Sequence, residues 1–301
     1  MSFLKNSTRS FFAEARKTKN ISFYDTLHGY YYLSFPYMYI GNAMGVRNPE
    51  KFYRWVVRQW WKVFPASRER RKVDPNVIQF ADTYHGKVVP LETANKLVTI
   101  DREITYRYPE QVIPYKLARD IIMHDPGHII ALDCPCRVNW KDPCKPLDVC
   151  LVIGEPFASM IIEHNPHHAR WIKSQEAMEI LKAEEDRGHV HHAFFKQAAL
   201  NRFYAICNCC SCCCGAMQAH QHGNPMLASS GYLGKVDETV CLGCGTCEEF
   251  CQFHAIKVLE DVAHVDEAVC MGCGVCVSHC PNDAVELVLA PQRGVPMEIP
   301  V

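Results

Sequence analysis

Near the end of the chain, the stretch ETVCLGCGTCEEFCQFHAIKVLED (238–261) is followed by a second copy of itself, EAVCMGCGVCVSHCPNDAVELVLA (267–290). The copies align at an offset of 29 residues, every cysteine matches a cysteine, and each copy reads C-x2-C-x2-C-x3-C. Spacings this short let one loop place three thiolates around a single centre, and the glycines between them let the backbone approach that centre closely. The repeat therefore predicts a domain built around two cysteine-ligated centres.

The spacing also indicates which metal group these centres hold. A C-x2-C-x2-C-x3-C run is the pattern that binds [4Fe–4S] clusters, and its fourth cysteine ligates the cluster of the other copy. Zinc sites normally use paired C-x2-C units instead. We therefore expect one [4Fe–4S] cluster to be bound by Cys241, Cys244, Cys247 and Cys280, and the second by Cys270, Cys273, Cys276 and Cys251.

The repeat resembles the bacterial 2[4Fe–4S] ferredoxin domain over residues 235–291. Members of that family commonly have proline after the fourth cysteine; the second copy keeps it as Pro281, but the first has Gln252. The resemblance implies one-electron transfer, with the two clusters close enough for electrons to pass between them. Residues 235–290 carry a net charge of −8, which suits a basic docking partner.

Eighteen cysteines occur in the 301 residues, so ten lie outside the repeat. They fall in two groups, DCPCRVNWKDPCKPLDVC (133–150) and ICNCCSCCC (206–214). Side chains of the second group point to two faces whether that run is extended or helical, so it can serve two centres. We expect all ten to be ligands: Cys134, Cys136, Cys144, Cys150, Cys207, Cys209, Cys210, Cys212, Cys213 and Cys214.

The ten cysteines leave the type of centre open. Two further [4Fe–4S] clusters with two spare thiols are the favoured interpretation. One cluster with a dithiol, a larger or unusual cluster, and zinc are the alternatives. Disulfides are disfavoured, because the thiols are tightly clustered and the N-terminus lacks the apolar stretch of a signal peptide. This predicts a cytoplasmic location in an anaerobic or low-oxygen cell.

Ten of the fifteen histidines lie in 121–234. An imidazole can replace a thiolate ligand of a cluster. His189 and His191 are the best candidates, because GHVHH follows a predicted helix end. The combination of a CxCR loop, this helix end and ICNCCxCCC is similar to poorly characterised iron–sulfur proteins of strict anaerobes, over roughly 110–290. That resemblance implies iron–sulfur redox chemistry and does not indicate a substrate.

The front of the chain is basic, since residues 1–120 carry a net charge of +9. The uncharged stretch 26–46 has the length of a membrane span, but its tyrosines and Pro36 argue against one. Residues 48–65 read as a basic amphipathic helix with tryptophans, followed by RERRK (68–72). We expect peripheral membrane contact through 21–72, docking on a redox partner protein, or packing on the chain's own core. Nucleic-acid binding is not expected.

The predicted fold class is α+β, with a mostly helical N-terminal and central region followed by the ferredoxin-like dicluster domain. Helices are expected at 115–123, at 174–188 with Ser174 as N-cap and Gly188 as stop, and at 191–206. The expected domains are a basic aromatic docking region at 1–110, a cysteine- and histidine-rich domain at 111–234, the ferredoxin domain at 235–291 and a tail at 292–301.

No nucleotide-binding glycine motif and no recognisable catalytic triad occurs in the sequence. The leading hypothesis is an iron–sulfur electron-transfer protein, a subunit of a larger anaerobic redox complex. The alternative is a redox enzyme with an open or unusual iron–sulfur site in 134–214. A nucleic-acid-binding redox sensor would require salt-dependent DNA binding, which we do not expect.

Overall fold

The computed structural model describes residues 4–46, 84–107 and 120–299. Its first part consists of helices α1 (Asn6–Lys17), α2 (Phe23–Ser34) and α3 (Pro36–Ala43). Ser22 and Asp25 form a capping box that begins α2, each side chain accepting from the other's backbone N–H. Pro36 occupies the first position of α3, where its missing N–H costs no helical hydrogen bond.

The uncharged stretch 26–46 is therefore divided between two short helices. The described ranges contain no helix that combines the length and the apolar character needed to cross a membrane. The predicted basic helix at 48–65 and the basic run at 68–72 lie outside the described residues.

A mixed sheet forms the centre of the structure. Its strands run in the order β2-β3-β4-β7-β6-β1-β8, and β5 pairs with β3. Most neighbours are antiparallel, whereas β1 and β8 are parallel. The strands are β1 (Tyr84–Val88), β2 (Ile104–Arg107), β3 (Asp120–Leu132), β4 (Cys150–Glu155), β5 (Ala169–Ile172), β6 (Val190–Lys196), β7 (Arg202–Cys209) and β8 (Leu227–Ala228).

Helices and a short 3-10 turn at Gln197–Ala199 connect these strands. The helices are α4 (Leu91–Val98), α5 (Pro135–Val138), α6 (Phe157–His164), α7 (Ser174–Glu185) and α8 (Gly215–Gln221). Phe11, Leu33 and Phe157 belong to one buried cluster together with central cysteines, and Leu97 and Leu181 belong to a separate one. The helices α1, α2 and α6 thus share a core with the thiols, while α4 and α7 contribute to the other core.

The central region is built on this sheet, and the expectation that it is mostly helical is wrong. The predicted helix at 191–206 is strand β6, the 3-10 turn and strand β7. Nearly every side chain of these two strands is buried. Strands buried on both faces lose the polar alternation that distinguishes a strand from a buried helix.

The other two helix predictions had different outcomes. Residues 120–123 of the predicted helix 115–123 begin the long strand β3, and 115–119 lie outside the described residues. The helix predicted at 174–188 is confirmed as α7. Ser174 is its first helical residue and Lys173 its N-cap, and Gly188 then turns the chain with φ +76°.

The C-terminal part contains two pairs of antiparallel strands. Strand β9 (Tyr232–Val236) pairs with β12 (Val285–Leu289), and β10 (Ile256–Leu259) pairs with β11 (Val262–Val265). Short helices α9 (Thr246–Phe250) and α10 (Val275–Ser278) follow the two cysteine loops, and a 3-10 turn lies at Pro291–Arg293. The mixture of helices and strands agrees with the predicted α+β class. The predicted domain limits stay predictions, although β1 and β2 join the sheet of the central strands.

Candidate thiolate centres

The eight cysteines of the repeat line two small cavities. The first cavity is lined by Cys241, Cys244, Cys247 and Cys280. The second is lined by Cys251, Cys270, Cys273 and Cys276. Each cavity thus takes three cysteines from one copy and the fourth from the other, because the two copies pack face to face through α9 and α10.

The loops around these cavities suit a bulky sulfide-containing group. Backbone N–H groups of Ala255 and Ala284 donate to the thiols of Cys251 and Cys280, over 3.3 Å and 3.2 Å. These contacts occupy equivalent places in the two copies. At Gly243, φ is +60°, and a Cβ would lie 2.4 Å from the Asp261 carbonyl oxygen. Thiols receiving N–H donors and loops without side-chain bulk fit a [4Fe–4S] cluster in each cavity.

The ten central cysteines separate into two groups in space. The smaller group is Cys144, Cys210, Cys212 and Cys213, whose Sγ atoms all lie within 4.8 Å of one another. Trp140 ties their two chain segments together, since its indole N–H donates to the Cys213 carbonyl oxygen over 3.0 Å. Burial raises the pKa of Cys144, but donation from the thiols of Cys212, Cys210 and Cys213 outweighs burial and leaves this pKa lowered.

The larger group lines a cavity of about 610 Å³ beside the sheet. Cys150 and Cys207 face each other across β4 and β7, and Cys134 and Cys214 immediately precede α5 and α8. Aromatic and aliphatic side chains complete the lining of this cavity. The six thiols of this group belong to Cys134, Cys136, Cys150, Cys207, Cys209 and Cys214, and Cys210 and Cys213 of the smaller group line the same cavity.

Two thiols of this cavity favour the thiolate form. The pKa of Cys134 is held well below its usual range, first by the neighbouring thiols of Cys136 and Cys150 and then by the backbone N–H of Arg137. The thiols of Cys136 and Cys209 likewise lower the pKa of Cys214. Negative charge therefore concentrates at the two positions that precede helices, where thiolates are expected.

Arg137, of the CxCR sequence, is a buried cation between the two groups and is 1% exposed. Its Nη2 donates to Glu184 Oε2 over 2.7 Å and to the Asn208 carbonyl oxygen over 3.1 Å. Burial opposes the charge, but Glu184, Cys134 and Cys210 more than compensate and raise the pKa of Arg137. A permanent positive charge thus lies beside both sets of thiols. The CxCR spacing alone does not indicate this role for the arginine.

The structure places His189 and His191 with carboxylates rather than among the thiols. His189 Nδ1 lies 2.7 Å from Glu184 Oε2. His191 Nδ1 lies 2.6 Å from Asn208 Oδ1, and its Nε2 lies 3.0 Å from Glu185 Oε2. Both rings are buried behind the thiol groups and connect α7 to the β-sheet.

Lys196 lines the same cavity as these thiols and is 2% exposed. Its Nζ lies 4.0 Å from the ring centre of Tyr32, 4.4 Å from that of Tyr84 and 4.5 Å from that of Tyr39. Burial lowers the pKa of Lys196 to about 7. Sequence reasoning missed this residue because it had placed KQAA inside a helix; a lysine in an apolar, aromatic strand was the available signal.

Gln252 joins the dicluster domain to the cysteine run. Its Oε1 accepts from the backbone N–H of Ser211 over 2.9 Å and from the Ser211 hydroxyl over 3.0 Å. Ser211 lies between Cys210 and Cys212, and Gln252 follows Cys251. Proline at this position could not accept these hydrogen bonds with its side chain. The departure from the family pattern therefore serves a contact with the central region.

A second contact lies beside the first. The Ser278 hydroxyl donates to Glu185 Oε1 over 2.8 Å, and Phe250 stacks on His279 with ring centres 3.9 Å apart. A Cβ at Gly188 would lie 2.5 Å from the Phe250 ring. The end of α7 thus packs closely against both short helices of the dicluster domain.

Residues 234–287 match the family model described as a 4Fe-4S dicluster domain. The matched segment contains all eight cysteines of the repeat and leaves the central cysteines outside it. No curated protein matches the chain. The C-terminal part is thus a ferredoxin-type dicluster domain, a class that binds [4Fe–4S] clusters and whose chemistry is iron–sulfur electron transfer.

Proposed function

We propose that the protein transfers single electrons between its dicluster domain and the thiolate centres of its central region, as a subunit of a larger redox complex. The observation that carries this proposal is the contact of Gln252 with Ser211. This contact brings the loop after Cys251 against a run in which Ser211 has a cysteine on either side. An electron carrier with such a junction does not need a cavity for a substrate, in contrast to an enzyme.

The chain's own residues would prepare the two dicluster sites. Cys241, Cys244, Cys247 and Cys280 would hold one cluster, and Cys251, Cys270, Cys273 and Cys276 the other. Bound clusters of this type supply one-electron redox chemistry. The N–H donors of Ala255 and Ala284 stabilise negative charge on sulfur at equivalent places in both sites.

The charge of the dicluster domain supports a protein partner. Residues 235–290 carry −8, so a basic surface of a donor or acceptor would be steered towards them. The front segment 21–72 would provide a second docking surface, on another subunit or at the cytoplasmic face of a membrane. Residues 47–72 lie outside the described residues, so the support for this second docking surface is the basic and aromatic composition of the segment.

Reduction of anaerobically purified protein by a low-potential donor tests the proposal. We expect electron paramagnetic resonance signals from the dicluster domain, and slower reduction of the central centres in Gln252→Ala than in wild type. Pro281→Ala, at the matched position of the second copy, should leave that rate unchanged. Equal rates in all three proteins would contradict the proposed junction.

The cavity beside the six thiols supports a second candidate, a redox enzyme acting on a small, largely apolar molecule. Lys196 lines this cavity, and its pKa of about 7 makes it a proton donor at neutral pH. We expect Lys196→Met to keep the wild-type metal content and to lose any small-molecule-dependent reoxidation of the reduced protein. Reoxidation of this variant at the wild-type rate would contradict a role of Lys196 as proton donor and with it the proposed enzyme activity.

A further inference from the structure

We propose that Cys144, Cys210, Cys212 and Cys213 form a separate site for one thiophilic metal ion, zinc or iron, in tetrahedral coordination. They would then not belong to a [4Fe–4S] cluster. With zinc, which has no redox chemistry, electrons from the dicluster domain would pass to the centre formed by the other six thiols.

The sulfur–sulfur distances carry the proposal. Four thiolates around one tetrahedral ion, with metal–sulfur bonds of about 2.3 Å, lie about 3.8 Å apart. Thiolates of a cubane each bind a different iron, so they lie roughly 6 Å apart. The observed distances are 3.1 Å for Cys144–Cys212, 3.7 Å for Cys144–Cys210 and 3.6 Å for Cys212–Cys213, with all four within 4.8 Å.

The dicluster domain provides an internal comparison. Its two cysteine quartets lie in the segment matched by a [4Fe–4S] family model, and each surrounds a cavity. Within the described residues, neither those quartets nor the six cavity cysteines form a group as close as the smaller central group. Among the described cysteines, the group of Cys144 and its three neighbours is thus the one with the spacing of a single-ion site.

The surroundings suit an ion that fixes the local structure. No helix or strand lies between α5 and β4 in the structure, so Cys144 comes from an irregular loop. An ion there would join this loop to the run after β7, in parallel with the Trp140 hydrogen bond. Cys212 is exposed and Cys210 and Cys213 are buried, which gives the ion an entry path and an enclosed inner side.

The site would also orient the junction with the dicluster domain. Ser211 lies between two of the four ligands, so the ion would fix the backbone N–H that donates to Gln252. It follows that the ten central cysteines divide into four and six. The six cavity thiols are then available to one cluster, and the expected pair of additional cubanes is not needed.

Metal and sulfide analysis of the anaerobically purified holoprotein tests the proposal. Wild type should contain about one zinc ion, or about one iron in excess of the acid-labile sulfide. Cys212→Ala and Cys144→Ala should each lose that one ion and no sulfide. Ser211→Ala, whose change lies between two ligands without removing a thiol, should keep the ion.

The loss of about four iron and four sulfide in Cys212→Ala would overturn the proposal and assign these thiols to a cubane. Unchanged metal content would also overturn it. Should the variants fail to fold, wild-type protein answers the same question through X-ray absorption. Zinc with four sulfur neighbours, or mononuclear ferric iron with a rubredoxin-type resonance signal after mild oxidation, would support the site and identify the ion. Absence of both signatures would overturn it.

Discussion

Gln252 is the residue at which this chain departs from the ferredoxin pattern, and its side chain bonds to the central cysteine run. Its loss removes the acceptor of two hydrogen bonds from Ser211. We expect Gln252→Ala to destabilise the junction by about 1 kcal/mol with unchanged iron content. Faster hydrogen exchange over 206–214 is the measurement that reports this.

A double-mutant cycle with Ser211→Ala isolates the side-chain part of that interaction. The two single changes should each weaken the junction, and the double variant should be no weaker than Gln252→Ala alone. Fully additive effects, or unchanged exchange in Gln252→Ala, would show that the hydrogen bonds do not hold the junction.

Lys196 is a buried base whose charge the cavity does not favour. Because burial lowers its pKa to about 7, the unfolded chain binds a proton there between about pH 7 and pH 10 while the folded chain does not. Its destabilising contribution is therefore complete below about pH 7 and declines as pH rises through that window.

Lys196→Met should accordingly stabilise the fold at neutral pH. The gain is at most about 4 kcal/mol, reduced by the lost contacts with three tyrosine rings, and should shrink from pH 7 to pH 10. Thermal unfolding of metal-loaded protein across this range is the measurement. Lys182→Met, at an exposed lysine of α7, should show no such pH dependence. A gain that does not vary with pH would contradict the lowered pKa.

Individual ligands were more accessible to sequence reasoning than their surroundings. The spacing within the repeat points directly to its eight cysteines, because the cysteines of each copy lie only a few residues apart in the sequence. Arg137 and Lys196 act through partners such as Glu184 and Tyr32, which are distant in sequence. Only the fold brings those groups together.

The dicluster domain packs against the end of helix α7. Gly188 ends this turn with φ +76°, and a Cβ there would collide with the Phe250 ring. Gly188→Ala should therefore cost more than the roughly 1 to 2 kcal/mol of left-handed backbone strain. Chemical unfolding of the holoprotein measures this cost.

Gly223 provides the matched control for this substitution. Its φ is +83°, and a Cβ there would meet nothing within 4 Å. Gly223→Ala should show the backbone cost alone and leave hydrogen exchange of α9 unchanged, whereas Gly188→Ala should increase it. Equal costs for the two variants would show that α7 does not pack against Phe250 as described.

Elements differed in how well the sequence predicted them. Helix α7 has one apolar face and is followed by Gly188, so its sequence pattern predicts a helix. Strands β6 and β7 are buried on both faces, and VHHAFFK followed by RFYAICNC offers no alternation to separate a strand from a helix. The strand interpretation depended on sheet neighbours that lie far away in the chain.

In the whole molecule, the dicluster domain packs against a sheet-based central region, and residues of both share one buried core. The proposed division of the ten central cysteines into four and six depends on the packing of an irregular loop against the run after β7. Sequence spacing could not predict it, since Cys144 and Cys212 are 3.1 Å apart in space but belong to different segments. The cysteine-rich segments were recognisable in the sequence, whereas their grouping in space required the fold.

A reductive titration followed by electron paramagnetic resonance shows whether the dicluster domain transfers single electrons. Wild-type protein should accept about two electrons into signals of two interacting [4Fe–4S] clusters. Cys241→Ser and Cys270→Ser should each remove about one of them and leave the central centres in place. Iron-loaded wild-type protein without such signals, or signals that survive both substitutions, would contradict the account.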